Sequence, residues 1–207
     1  MDYFDIFSLP PHLVIDTPAL ERSFYALSRR LHPDRFAARP AAEQEAALAE
    51  SSRLNDAYRT LRDPVARTEY LLKLEGVELE EQSSAATAAA RASGTTKKQV
   101  VPEDLLEEAF ELNMQLEEMR AAKKMGEDDP QLRKDLIAAK SDFDAKLAAT
   151  DADLATLHTQ WDTATNATDP AASDRVAQAA ARDAMVALLN RRSYLRNLVR
   201  DVNDALE

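Results

Sequence analysis

Apolar residues recur every three or four positions along most of the chain, a period that predicts α-helices rather than strands. The first long helix carries one apolar face at Leu20, Phe24, Leu27 and Leu31. Asp16-Thr17-Pro18 predicts its start, with Thr17 as the cap and Pro18 in the first turn. The helix should end near His32, because a residue that precedes a proline avoids the α region.

A second helix is predicted over residues 41–61, and Asp63-Pro64 ends it and opens a short third segment. Its inward positions are Ala47, Leu54, Tyr58 and Leu61. The first two helices should therefore form an antiparallel hairpin, with His32-Pro33-Asp34 in the connecting loop.

Three long amphipathic helices are predicted after Pro102, and short connections favour an antiparallel bundle. Their inward stripes are Leu105, Ala109, Leu112, Leu116 and Met119; Leu132, Leu136, Ala139, Phe143, Leu147, Leu154, Leu157 and Trp161; and Leu188, Leu195, Val199, Val202 and Leu206. Residues 80–99 contain no large apolar side chain, so 77–101 is the predicted linker. The expected fold is all-α, with domains at 1–76 and 102–207.

Composition narrows the possible chemistry. The chain has 26 basic and 37 acidic residues, a net charge of −11, which argues against general binding to nucleic acid or an anionic membrane. Cysteine is absent and the three histidines lack metal-ligand spacing, so no metal or cofactor is expected. No apolar run approaches the roughly 20 residues of a membrane span. The start, MDYFDIFSL, lacks a basic targeting region, and we expect a cytoplasmic protein.

One short motif stands out at the end of the first helix. The sequence RRLHPDRF, residues 29–36, places an imidazole, a proline ring and a carboxylate side by side after two arginines. It follows the opening DYFDIFSLP and precedes LNDAYRTLRDP, which starts at Leu54. His-Pro-Asp alone is also compatible with an ordinary polar turn. In this order and spacing, however, the first 75 residues resemble the J-domain family.

J-domains are co-chaperones that stimulate ATP hydrolysis by heat-shock protein 70 class ATPases. The resemblance implies four helices, with His32, Pro33 and Asp34 at the tip of the middle hairpin. It also implies a positive docking face, formed by Arg22, Arg29, Arg30 and Arg35. Arginine suits this role because its planar guanidinium engages carboxylates in a bidentate way. The His-Pro-Asp loop would act through the partner's conformation, and we expect no catalytic residue in this chain.

The rest of the chain resembles the HscB-type J-proteins, in which a three-helix bundle holds the scaffold protein of iron–sulfur cluster assembly. RTEYLL from Arg67, the acidic helix DLLEEAFEL from Asp104 and RSYLRNL from Arg192 carry this similarity. The family's scaffold-binding pattern, Leu-Met-Glu-x-Leu-Glu, falls on residues 106–111. It assigns scaffold binding to Leu106, Glu107, Phe110 and Glu111, and the resemblance of the last helix adds Tyr194 to this site.

Two of these positions depart from the family pattern. Glu107 replaces the expected methionine and weakens the apolar patch, whereas Tyr194 replaces a phenylalanine and keeps an aromatic ring. From residues alone, Leu106 and Phe110 are compatible with core packing or with an exposed docking face, and the resemblance favours docking. Residues 102–129, with ten acidic and three basic side chains, suit a basic partner or simply confer solubility.

The resulting hypothesis is a non-enzymatic co-chaperone that brings the cluster scaffold to a heat-shock protein 70 class ATPase and promotes cluster transfer. The main alternative is a J-protein that delivers a different client to a general chaperone. An enzyme that uses His32 and Asp34 as acid and base lacks an evident nucleophile. A structural adaptor with a degenerate J-domain conflicts with the intact His-Pro-Asp.

Overall fold

The computed structural model describes residues 2–36, 38–77, 101–127, 129–166 and 172–207. In these ranges the chain forms helices and no β-strand, which confirms the all-α fold. The α-helices are α1 (Tyr3–Ile6), α2 (Thr17–Leu31), α3 (Ala41–Arg62), α4 (Pro64–Leu74), α5 (Leu106–Met125), α6 (Pro130–Thr165) and α7 (Ala172–Leu206). Short 3-10 turns cover Pro33–Phe36 and Glu103–Leu105. The predicted linker lies outside the described residues apart from its two ends, Val77 and Val101.

The predicted start of α2 is wrong by one residue. Asp16, not Thr17, is the N-cap, because its carboxylate accepts a hydrogen bond from the backbone N–H of Ala19 at 2.9 Å. Thr17 is already helical, and Pro18 lies within the first turn. Asp63 caps α4 in the same way, through the N–H of Ala66 at 2.8 Å.

Helices α2 and α3 pack against each other as the predicted hairpin, and α3 also contacts α1 and α4. The rings of Phe24 and Tyr58 stack between α2 and α3, with centroids 4.1 Å apart. Buried apolar side chains from α1 to α4 complete this core. They are Phe4, Phe7, Leu13, Leu20, Ala47, Leu54, Ala57, Leu61, Leu71 and Leu72.

Helices α5, α6 and α7 share a second apolar core. Leu105, just before α5, and the four predicted inward positions within α5 are buried in it, as are Leu132, Leu136 and Phe143 of α6. The stripe on α7 is broader than predicted, because Met185, Leu189 and Leu198 are buried whereas Leu188 and Val199 are only half-buried. Helix α5 ends at Gly126, whose φ of 74° is a conformation that side chains with a Cβ rarely adopt.

The chain divides into two compact units. The first unit comprises Met1–Leu79 and His158–Arg182, and the second comprises Glu80–Leu157 and Asp183–Glu207. The end of α6 and the start of α7 thus group with helices α1–α4. Since neither unit is one continuous segment, the domain boundaries at 76 and 102 stay a prediction.

Candidate functional site

The loop after α2 takes its shape from one proline. His32 adopts an extended conformation with ψ of 128°, which ends the helix as expected for a residue before proline. The chain then turns at once into the 3-10 segment Pro33–Phe36, closed by a hydrogen bond from the N–H of Arg35 to the carbonyl of His32 at 3.0 Å. The geometry therefore presents residues 32–35 as a compact tip.

The imidazole and carboxylate at this tip face solvent. The side chains of His32 and Asp34 are 55% and 88% exposed. The backbone N–H of Asp34 donates to Nδ1 of His32 at 3.3 Å, and Oδ2 of Asp34 lies 3.5 Å from the same nitrogen. The imidazole and the carboxylate therefore form a compact polar pair that is accessible from solvent.

Three of the four predicted arginines lie on α2 and the fourth, Arg35, lies in the tip, and all four are exposed. Arg35 donates from its guanidinium to the carbonyl of Arg29 at 3.4 Å, which ties the loop to the last turn of α2. Arg22 and Arg29 lie two helical turns apart on one face of α2, and Arg30 adjoins Arg29. The arrangement is a cationic surface that adjoins the His-Pro-Asp tip.

Sequence reasoning missed Tyr25 on this surface. Tyr25 lies three residues after Arg22 and four before Arg29, so all three project from one face of α2. Its side chain is exposed, whereas the neighbouring Phe24 turns inward onto Tyr58. The i, i+3, i+7 spacing was the available signal. An exposed tyrosine among arginines adds apolar contact area with a hydroxyl at its edge.

On α5, the structure places Leu106 and Phe110 at the surface. They are 52% and 69% exposed, and Glu107 and Glu111 are exposed beside them. Core packing therefore does not account for these two apolar side chains. Instead, Leu105, Ala109 and Leu112 face the bundle core. Four of the five predicted scaffold-binding residues thus share an exposed acidic and apolar region of one helix.

Tyr194 does not join them. Its side chain is 8% exposed and lies in the shared core of α5, α6 and α7, and this burial raises the pKa of its phenol. Our expectation that Tyr194 adds an aromatic ring to an exposed docking face is therefore corrected. It lies one residue before Leu195, which is also buried, and both fill the interior of the bundle.

The first compact unit also contains a buried polar cluster that the sequence did not reveal. The two carboxylate oxygens of Asp162 accept the backbone N–H groups of Leu13 and Val14, at 2.8 and 2.7 Å. Nε2 of His158 lies 2.7 Å from Oγ1 of Thr68. Because that hydroxyl donates to the carbonyl of Pro64, it accepts from the imidazole N–H.

Arg67 completes this cluster. Its guanidinium is buried and donates to the carbonyl of Leu61. Burial lowers the pKa of Arg67, while the nearby carboxylates of Asp63 and Asp162 act in the opposite direction. Burial, followed by the charge of Arg67, lowers the pKa of His158 to about 4. His158 is therefore neutral at pH 7 and acts as a structural hydrogen-bond donor.

Neither a metal site nor a membrane-spanning helix is found among the residues that the structure describes. No group of three or more histidine, aspartate or glutamate side chains is placed to hold a metal ion. Within the same ranges, none of the helices is both long and apolar enough to cross a membrane.

Helices α1–α4 with the His-Pro-Asp tip, and the bundle formed by α5, α6 and α7, resemble a J-domain followed by a C-terminal helical bundle. No protein-family model matches the chain. The co-chaperone protein HscB homolog of Bordetella avium is 44% identical over 89 residues, which cover 43% of this chain and 53% of that protein. The match therefore spans about half the length of this curated relative.

Solved structures agree with this class. Chaperone HscB from Vibrio cholerae is 28% identical, with complete coverage of both chains and a TM-score of 0.57. Human co-chaperone protein HscB, at 22% identity, shares the fold with a TM-score of 0.62, over 98% of this chain and 81% of the human one. The resemblance to HscB-type J-domain co-chaperones predicted from the sequence is thereby confirmed.

Proposed function

We propose that this chain stimulates the ATPase of a heat-shock protein 70 class chaperone and delivers the iron–sulfur cluster scaffold protein to it, promoting cluster transfer. The observation that carries the proposal is the 3-10 tip at His32-Pro33-Asp34, whose imidazole and carboxylate are exposed beside the cationic surface of α2. Both halves of the proposal extend to this chain what the HscB resemblance implies. We place the exchange in the cytoplasm.

The proposed stimulation of the partner ATPase does not require a catalytic residue in this chain. Arg22, Arg29, Arg30 and Arg35 would dock on acidic residues of the ATPase. His32 and Asp34 would then favour the hydrolysis-competent state of the partner. This is a coupling free energy between two proteins rather than group transfer. The acceleration therefore depends on binding that one state of the ATPase better than the other.

The bundle half depends on the outer face of α5. Leu106 and Phe110 would enter an apolar recess on the scaffold, while Glu107 and Glu111 would meet basic residues around it. Exposed apolar side chains bordered by charge are typical of protein-binding surfaces. Tyr194 supports this face from the core, because Leu105 and Ala109 of α5 share its apolar cluster.

Replacement of Asp34 tests the J-domain half. Asp34→Asn in the full chain should abolish stimulation of the partner ATPase in a steady-state assay and leave scaffold binding unchanged. Asp56→Asn is the matched control, because Asp56 is an exposed aspartate of α3 away from the tip. Stimulation that survives in Asp34→Asn would refute the assignment. Hydrolysis by the purified chain alone, lost in the same variant, would support the enzyme alternative.

Titration of the full chain with the cluster scaffold protein tests the bundle half. Leu106→Ala and Phe110→Ala should each weaken binding by about tenfold or more. Ile137→Ala is the control, since Ile137 on α6 is as exposed as Leu106. If the scaffold does not bind while unfolded polypeptides do, the chain delivers a different client. Binding that both substitutions leave unchanged would move the site elsewhere.

A further inference from the structure

The apolar row on α5 continues one turn beyond the residues that the family pattern assigns. Met114 is 60% exposed and follows Leu106 and Phe110 at equal spacings of four residues. Each step of four rotates the position by about 40°, so all three side chains share one broad face of the helix. With a rise of about 1.5 Å per residue, the row is about 12 Å long. Its members are surplus to the core, which Ala109, Leu112 and Leu116 already fill.

An acidic row runs beside the apolar one. Glu107, Glu111 and Glu118 are exposed on this flank, whereas Glu108 turns to Lys146 and Glu117 pairs with Arg120. The face therefore has two different edges, and only one of them is lined by carboxylates that point to solvent. A partner that binds it must offer an apolar strip of similar length with basic side chains along one side.

Met114 also stands in a specific relation to Glu107. The two residues are seven apart, which is two helical turns and a difference of only about 20° around the axis. Where the family pattern has methionine at position 107, this chain has glutamate there and an exposed methionine two turns further on. The apolar area is thus displaced along the helix rather than lost. Methionine suits such a contact because its thioether side chain is flexible and polarizable.

We propose that Met114 is the third apolar anchor of the scaffold-docking face and replaces the contribution absent at Glu107. This inference rests on the proposed function, because it takes the cluster scaffold protein as the occupant. The HscB resemblance supplies that occupant, and the ten acidic and three basic side chains of residues 102–129 require a basic surface on it.

Calorimetric titration of the full chain with the purified cluster scaffold protein tests the inference. Met114→Ala should raise the Kd by about fivefold. The matched control is Met125→Ala, because Met125 is a methionine of the same helix, 71% exposed, that lies about 16 Å beyond Met114 along the axis. It should leave the Kd within about twofold. An equal loss of affinity in both variants would overturn the inference that the docking row includes Met114 and ends there.

A second substitution asks whether the two positions serve the same purpose. Glu107→Met placed in the Met114→Ala background should recover part of the lost affinity, since it restores an apolar side chain on the same face but removes one carboxylate of the acidic row. No recovery, in a variant with unchanged helical content, would overturn the replacement.

The outcomes also separate this inference from the function on which it rests. If Leu106→Ala and Phe110→Ala weaken binding while Met114→Ala does not, the inference fails and the proposed function stands. If all three are silent, the scaffold half of the proposed function fails. Self-association of the wild type, abolished by Met114→Ala in sedimentation, would assign the row to a second copy of this chain and overturn the inference.

Discussion

The two compact units use polar side chains in opposite ways. The first unit buries Arg67, Thr68, His158 and Asp162 in a hydrogen-bonded cluster. Among the described residues of the second unit, the buried polar side chain is Thr150, and its hydroxyl bonds to the carbonyl of Lys146 in its own helix. The stability of the first interior therefore depends in part on buried hydrogen bonds and charges, and that of the second on apolar packing.

The outer surfaces follow the same division. The first unit presents the charged tip at His32 and Asp34, whereas the second presents the apolar row that begins at Leu106. In each unit the groups proposed to bind a partner are exposed and are of the kind that also distinguishes its interior. Substitutions at these surfaces should thus affect binding with little change in stability, and substitutions in the interiors should do the reverse.

The largest loss of stability is expected in the second unit, where two phenylalanines differ in burial. Phe143 is buried in the bundle core and Phe110 is exposed on α5. Phe143→Ala should lower the free energy of unfolding by about 3–5 kcal/mol, because it removes buried apolar contacts and leaves a cavity. Phe110→Ala should change it by less than about 0.5 kcal/mol. Urea unfolding followed by circular dichroism measures both, and similar losses would contradict the assigned core.

Helices and core positions could be predicted from the sequence because they follow local periodicity. Leu105 and all four inward positions of α5 were identified in this way, as was the end of α2 before Pro33. The His-Pro-Asp motif could be found for a related reason. It is contiguous, and a proline dictates its backbone conformation.

Exposure and long-range polar contacts could not be predicted in the same way. The spacing of Leu106 and Phe110 fits a buried stripe as well as an exposed row. The residues around Tyr194 do not indicate that its ring is buried. The bonds of Asp162 to the backbone of Leu13 and Val14 join residues about 150 positions apart. Periodicity carries no information at that separation.

The next largest loss of stability is expected in the first unit, on removal of the Asp162 charge. Asp162→Asn leaves a backbone N–H of Leu13 or Val14 facing an amide donor and removes an anion near Arg67. We expect a loss of about 2–4 kcal/mol in the free energy of unfolding. The chain's single tryptophan, Trp161, is buried in this unit, so its fluorescence reports the transition. Asp153→Asn, at an exposed aspartate of α6, is the control and should be neutral.

Acidification should lower the stability of the first unit by a smaller amount. The pKa of His158 is lowered to about 4 in the folded chain, against an ordinary value near 6.5 when unfolded. The unfolded state therefore takes up a proton first, and the stability that the neutral ring confers is complete above pH 6.5 and lost as the pH falls towards 4. Between pH 7.5 and 5.5 this loss should be about 1.4 kcal/mol.

The control for this pH dependence is His158→Gln, which keeps an N–H donor near Thr68 and removes the titrating group. Unfolding free energies of the two proteins, followed by Trp161 fluorescence at each pH, should converge as the solution is acidified. Curves that stay parallel between pH 7.5 and 5.5 would show that His158 does not carry this dependence.

The smallest loss of stability is expected for an ion pair of the second unit. Arg192 of α7 donates from Nε to Asp151 of α6 at 2.5 Å, and the carboxylate remains partly exposed. Asp151→Asn should lower the free energy of unfolding by less than about 1 kcal/mol, because water solvates the two charges almost as well when they are apart. The difference should shrink further in 1 M salt, which screens exposed ion pairs. A loss as large as that from Asp162→Asn, or one that persists in high salt, would mean that the bundle also depends on a specific polar contact. The contrast between the two interiors would then fail at the point where α6 and α7 meet.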